Sequence, residues 1–131
     1  MSAQEIIKLI ETVDPSDTAR LDEIDLRVWS FVTGKHELCA PLGSLYLDGP
    51  VYRQQPMYTR SRDALKAIRP EGWFLTSQMI GMDFSVFKGW FYAAYGQGCK
   101  LASPGLPTEE LAELHAIISA IEWDRNNEMQ T

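Results

Sequence analysis

Apolar residues recur at helical spacing through the first quarter of the chain. Ile6, Leu9, Ile10 and Val13 fall on one face of a helix over residues 2–13. Ser2-Ala3-Gln4-Glu5 has the form of a capping box, in which the Ser hydroxyl and Glu carboxylate satisfy free helix-start amides. Asp14-Pro15 ends the helix, because the residue before a proline is pushed out of the helical region. A second helix starts at Asp17 or Thr18, carries the stripe Leu21, Ile24, Val28, Phe31 and Val32, and stops at Gly34. Residues 1–34 therefore read as a helical hairpin arm, with its acids expected on the outer face. Residues 35–131 read as the main domain, joined to the arm as one compact unit.

Beyond Lys35 the pattern changes. Pro41, Gly43, Gly49, Pro50 and Pro56 punctuate the stretch, leaving short strands at 44–47 and 51–53. A short helix at 63–68 turns Ala64, Leu65 and Ile68 inward. Arg69-Pro70-Glu71-Gly72 makes a turn, since proline suits its second position and glycine tolerates positive φ. Two strands follow at 73–80 and 84–95, joined through Gly81-Met82-Asp83. The second presents Phe84, Val86, Trp90, Tyr92 and Ala94 on one face and Phe87, Phe91, Ala93 and Tyr95 on the other. Both faces are apolar, so the strand should be covered on both sides. Gly89 in its middle suggests a bulge or a close backbone approach. Loops at Gly96-Gln97-Gly98 and Ser103-Pro104-Gly105-Leu106-Pro107 lead to a last helix, capped by Thr108 and opened by Glu109 and Glu110. Its stripe is Leu111, Leu114, Ile117, Ile118 and Ile121, ending near Trp123, with residues 126–131 frayed.

Residues 58–123 resemble the phage ABA-sandwich domain, a family of small phage and prophage proteins. Tyr58-Thr59-Arg60-Ser61 precedes a short helix, Pro70-Glu71-Gly72-Trp73 opens an aromatic hairpin, and Ala102-Ser103-Pro104 precedes a closing helix rich in Leu, Ala and Ile. Gly105-Leu106-Pro107 and the acidic closing helix depart from that pattern. The resemblance implies an α+β fold, an α-β-α layered sandwich with a small antiparallel sheet, here with the N-terminal helical hairpin added. It brings no catalytic residues with it.

The 131 residues carry 12 Lys and Arg against 18 Asp and Glu, a net charge of −6, with 45% hydrophobic positions. That composition is globular and excludes wholesale disorder. The charge is segregated: residues 1–40 hold −4, residues 41–105 hold +3 and residues 106–131 hold −5. Two cysteines, Cys39 and Cys99, exclude a disulfide-dense scaffold and a four-cysteine metal site. No apolar run approaches the roughly 18 residues of a membrane span. Met1-Ser2-Ala3-Gln4-Glu5 lacks the basic start of a signal peptide. No membrane association is expected, and the expected location is the cytoplasm, that of the host cell if the gene is phage-borne.

Candidate chemistry is sparse. His36-Glu37-Leu38-Cys39 is half a metal site at best, even with Cys99 nearby, because the second ligand pair is missing. Cys39 with His115, or Cys99 with His36, would make a nucleophile–base pair only if the fold brought them together; His115 reads instead as a packing residue. Tyr95-Gly96-Gln97-Gly98-Cys99-Lys100 lacks the spacing of a phosphate loop. No cofactor, metal or catalytic residue is expected.

Two surfaces remain. Arg53, Tyr58, Arg60, Arg62, Lys66 and Arg69 form a basic cluster for an anion or a partner, with Arg62, Lys66 and Arg69 at i, i+4, i+7. The bland alternative is a solvated face, or pairing with the chain's own acids. Fourteen aromatic residues exceed the needs of so small a core, and Tyr46, Tyr52, Trp90 and Tyr92 are candidates for an exposed interface patch. The expected function is a non-enzymatic phage or prophage accessory protein that binds a host or phage protein, with anti-defence as a special case. A homo-oligomer is a further option. The alternative is a nucleotide- or nucleic-acid-binding protein using the basic cluster between Arg53 and Arg69, with Tyr58 for stacking.

Overall fold

A computed structural model describes residues 2–34, 45–48, 51–54, 56–78, 91–96 and 98–128. Helix α1 (Ala3–Thr12) begins where expected: the Ser2 hydroxyl accepts the Glu5 amide at 3.3 Å. Its end is an Asx turn, with Asp14 Oδ1 accepting from both the amide and the hydroxyl of Ser16. Helix α2 (Thr18–Thr33) is capped by Asp17 and closed by Gly34 in the left-handed conformation, φ 73°. The two helices pack together as the expected hairpin.

Strands β1 (Leu45–Asp48) and β2 (Val51–Gln54) form a two-stranded antiparallel ladder. Helix α3 (Arg62–Ala67) is capped by Ser61. Strands β3 (Phe74–Gln78), β4 (Phe91–Gly96) and β5 (Cys99–Ala102) make an antiparallel sheet in the order β3-β4-β5. Helix α4 (Glu109–Glu128) closes the described chain. The mixed α+β class with a small antiparallel sheet and an N-terminal helical hairpin is as the sequence implied.

Four expectations need adjustment. The 96–98 loop is a turn between strands, because Cys99–Ala102 adds β5 beside β4. The last helix runs five residues beyond Trp123, where the Asn127 side chain donates to the Trp123 carbonyl. Arg69 lies past the end of α3, so the expected row of three basic residues does not sit on one helix. The acids of α2 are not all on the outside: Asp25 is fully buried. The connection at 81–83, Gly89 and the start of the long second strand lie outside the described residues.

Helix α4 organises the core. A helix lying against one neighbour is amphipathic, but one lodged between two layers must be apolar all round. Residues 111–118 are buried without interruption, including Leu111, Leu114, Ile117 and Ile118. Among the described elements, α1 packs on α4 from one side, with Ile6 and Ile10 fully buried, and the sheet packs on it from another. Ala112, Ala116, Ala120 and Asp124 form one i, i+4 row, and Asp124 accepts the indole N–H of Trp73 at 2.9 Å. Short side chains along that row let the sheet approach the helix closely. Within the central strand Ala93 and Ala94 are both fully buried, so both faces are covered at that point; Tyr95, on the Ala93 face, is half-buried.

Candidate functional site

The basic cluster is drawn into the fold. Met57 O accepts the amides of Arg60 and Ser61, forming a tight turn that aims Arg60 at α2. Arg60 Nη2 donates to Asp22 Oδ1 at 2.6 Å and to Asp25 Oδ2 at 2.7 Å, and the Thr59 amide donates to Asp25 Oδ1 at 2.8 Å. Burial pushes the Asp25 carboxyl above its ordinary value, against the opposing pull of the Arg60 and Thr59 hydrogen bonds. Tyr58, expected as a stacking surface, is 5% exposed and belongs to the core.

Arg62 and Arg69 turn instead to α4. Arg62 Nη2 lies 2.7 Å from Glu109 Oε1, 3.7 Å from Glu113 Oε2 and 2.9 Å from the Tyr92 hydroxyl. Arg69 donates through both Nε and Nη2 to Glu113 Oε1. Glu113 is fully buried and straddled by the two guanidiniums. Tyr92, expected on an exposed patch, is 4% exposed, and its phenol is pushed up by burial and then by the nearby Glu113 charge. Only Lys66 of this group projects into solvent without an ion pair among the described residues. Among the described members of the cluster, Arg60, Arg62 and Arg69 are thus paired with internal carboxylates. The side chains of Tyr46, Tyr52 and Arg53, and all of Trp90, lie outside the described residues.

Of the histidines and cysteines considered for chemistry, His115 and Cys99 are described. His115 is buried on α4, with Nε2 2.9 Å from Glu11 Oε1 on α1; among the described residues its Nδ1 has no partner. Cys99 is half-buried on β5. His36, Glu37 and Cys39 lie outside the described residues. Among the described residues no group of three or more His, Cys, Asp or Glu side chains is placed to hold a metal ion. Two open depressions of about 330 and 340 Å³ run along α1 and α2, sharing Leu9, Thr12 and Arg20. No described histidine or cysteine lines either one. Among the described residues no helix is long and apolar enough to cross a membrane.

No family model, curated protein or solved structure matches the chain.

One aromatic behaves differently from the rest. Trp73 is buried, its ring meeting Trp123 edge-on at 5.7 Å. Phe74, next along, must point the other way in an extended strand, and it is 67% exposed. It is the one exposed large hydrophobic residue among those described. Strand alternation carried the signal: with Trp73 and Leu75 committed to the helix side, Phe74 and Thr76 had to face away. The interface candidates expected from the sequence were Tyr46, Tyr52, Trp90 and Tyr92, and Phe74 was not among them.

Proposed function

We propose that this protein is a small, non-enzymatic phage or prophage accessory protein that acts by binding another protein, with inhibition of a bacterial defence system as one form of that role. The resemblance over residues 58–123 supports the phage origin. Exposure of Phe74 carries the binding reading: a phenyl ring 67% exposed offers apolar area of the kind enriched in protein interfaces, and its removal would cost the fold little. The internal pairing of Arg60, Arg62 and Arg69 favours a protein partner over a nucleic acid.

A photo-crosslinking amino acid at position 74, with the exposed position 126 as control, tests this in bacterial cells. The expected result is a discrete protein adduct from position 74 and none from 126. An adduct with a second copy of the chain would identify self-association as the binding event. The same diffuse pattern from both positions, or crosslinks to nucleic acid, would overturn the proposal.

A further inference from the structure

Phe74 does not stand alone. The ladder places it directly opposite Tyr95, and Tyr95 directly opposite Lys100. Residues paired in this way project from the same face. Phe74, Tyr95 and Lys100 therefore form one row across all three strands, spanning roughly 10 Å at the usual strand separation. The opposite face is committed to the core through Trp73, Leu75, Ala94 and the close approach of Gly96 to the Trp73 ring. The row cannot turn inward in this register.

Its chemistry is specific. Phe74 offers a bare ring, Tyr95 is half-buried, and the Lys100 ammonium sits 5.5 Å from the centre of the Tyr95 ring. Lys100 is exposed, and among the described residues that ring is its one recorded contact. A cation–π contact at an exposed site is weak enough for a carboxylate to add to it or compete for it. Arg60, Arg62 and Arg69 have given their charge to the protein's own acids, whereas Lys100 pairs with no acid among the described residues. The row thus pairs an apolar anchor point with an available cation beside it.

We infer that Phe74, Tyr95 and Lys100 form a docking site for a protein segment carrying an apolar side chain followed, two or three residues on, by a carboxylate. The apolar side chain covers Phe74 and the edge of Tyr95, and the acid meets Lys100. An extended segment rises about 3.3 Å per residue, so a step of two or three residues covers about 7–10 Å, comparable to the two strand spacings that separate Phe74 from Lys100. One cation suits one carboxylate; a polyanion such as single-stranded nucleic acid would need several, and the chain carries −6 overall. This inference rests on the protein-binding reading and adds the partner's chemistry to it.

Selection of yeast-displayed random peptides on the folded protein tests it, followed by titration of the selected peptide, fluorescently labelled. The expected peptides share an apolar residue two or three positions before Asp or Glu. Phe74→Ala and Lys100→Glu should each weaken binding at least about tenfold, a typical hot-spot loss. A peptide with its acid changed to Lys should regain binding to Lys100→Glu and lose it to the wild type. All three residues face away from the core, so circular dichroism should find both variants folded. Peptides with no acidic preference, a charge swap that fails, or tighter binding of a labelled oligothymidylate would each overturn the inference. If crosslinking from position 74 still captures a protein in that event, the protein-binding reading stands and this inference alone falls.

Discussion

Arg60 holds Asp25 across 35 positions of the chain, Nη2 to Oδ2 at 2.7 Å, with the Asp25 side chain fully buried. The same carboxylate takes the Thr59 amide. This contact ties the N-terminal hairpin to the turn that precedes α3. Removing one member of a buried pair costs about 3–5 kcal/mol when the other is left without compensation. Arg60 retains Asp22 and is partly exposed, so the group that Asp25→Ala strands is the buried Thr59 amide, and the cost should be about 2–3 kcal/mol. Asp22→Ala leaves the Thr59 amide satisfied and should cost nearer 1 kcal/mol. Urea denaturation of both variants checks the order; equal losses would show that Arg60 does not rely on the buried partner.

Asp25 also gives the protein a pH dependence whose sign is opposite to that of an exposed, salt-bridged acid. Burial raises its pKa above the ordinary 3.8, outweighing the hydrogen bonds from Arg60 and Thr59. The folded state then binds the proton more tightly than the unfolded state. Its contribution to stability is full below 3.8 and is lost as the pH rises through the folded-state pKa. Asp25→Asn keeps an acceptor for Thr59 and removes the titration. Wild-type stability relative to Asp25→Asn should therefore fall between acid and neutral pH. A relative gain over that range would mean that Arg60 dominates burial.

How much of this could be read in advance depended on distance along the chain. Ser2, Asp17, Thr108 and Gly34 act within three or four residues, and their roles in ending or starting helices were visible as local patterns. Strand β5 has a clean alternation of half-buried and exposed residues, but four residues between glycine and proline loops make too short a signal. Asp25 and Glu113 differ from the surface acids around them only by a partner 35 or 44 positions away. Helical spacing puts a charge on a face; what lies against that face is a tertiary fact. Phe74 was legible once Trp73 was assigned to the core, because strand geometry leaves no other direction.

Glu113 and Arg69 should show an asymmetry set by exposure. Glu113 has no exposed side-chain surface, whereas Arg69 and Arg62 reach solvent with 35% and 45% of theirs. Arg69→Ala strands a buried carboxylate with only Arg62 at 3.7 Å and should cost about 3–5 kcal/mol. Glu113→Ala frees two guanidiniums that can rehydrate, so its cost should be smaller, about 2 kcal/mol. The double variant should then be more stable than Arg69→Ala alone, a negative coupling readable in a guanidinium denaturation cycle. Strict additivity would show that the buried charge is not what makes Arg69 necessary.

Gly96, the last residue of β4, and Gly98, just before β5, are glycines for different reasons. At Gly96 a methyl group would lie 2.7 Å from the Gly72 carbonyl oxygen and 2.8 Å from the Trp73 ring. Neither neighbour yields easily, since Trp73 is held by Asp124 and Trp123. Gly98 has φ 77° and open space around it, so only backbone conformation demands glycine there. Gly96→Ala should cost about 1–3 kcal/mol through overpacking and change the near-ultraviolet circular dichroism as Trp73 shifts. Gly98→Ala should cost about 1 kcal/mol and leave that spectrum as it was. If Gly96→Ala left both stability and spectrum unchanged, the close seat of Trp73 against β4 would be wrong, and with it the outward direction of Phe74.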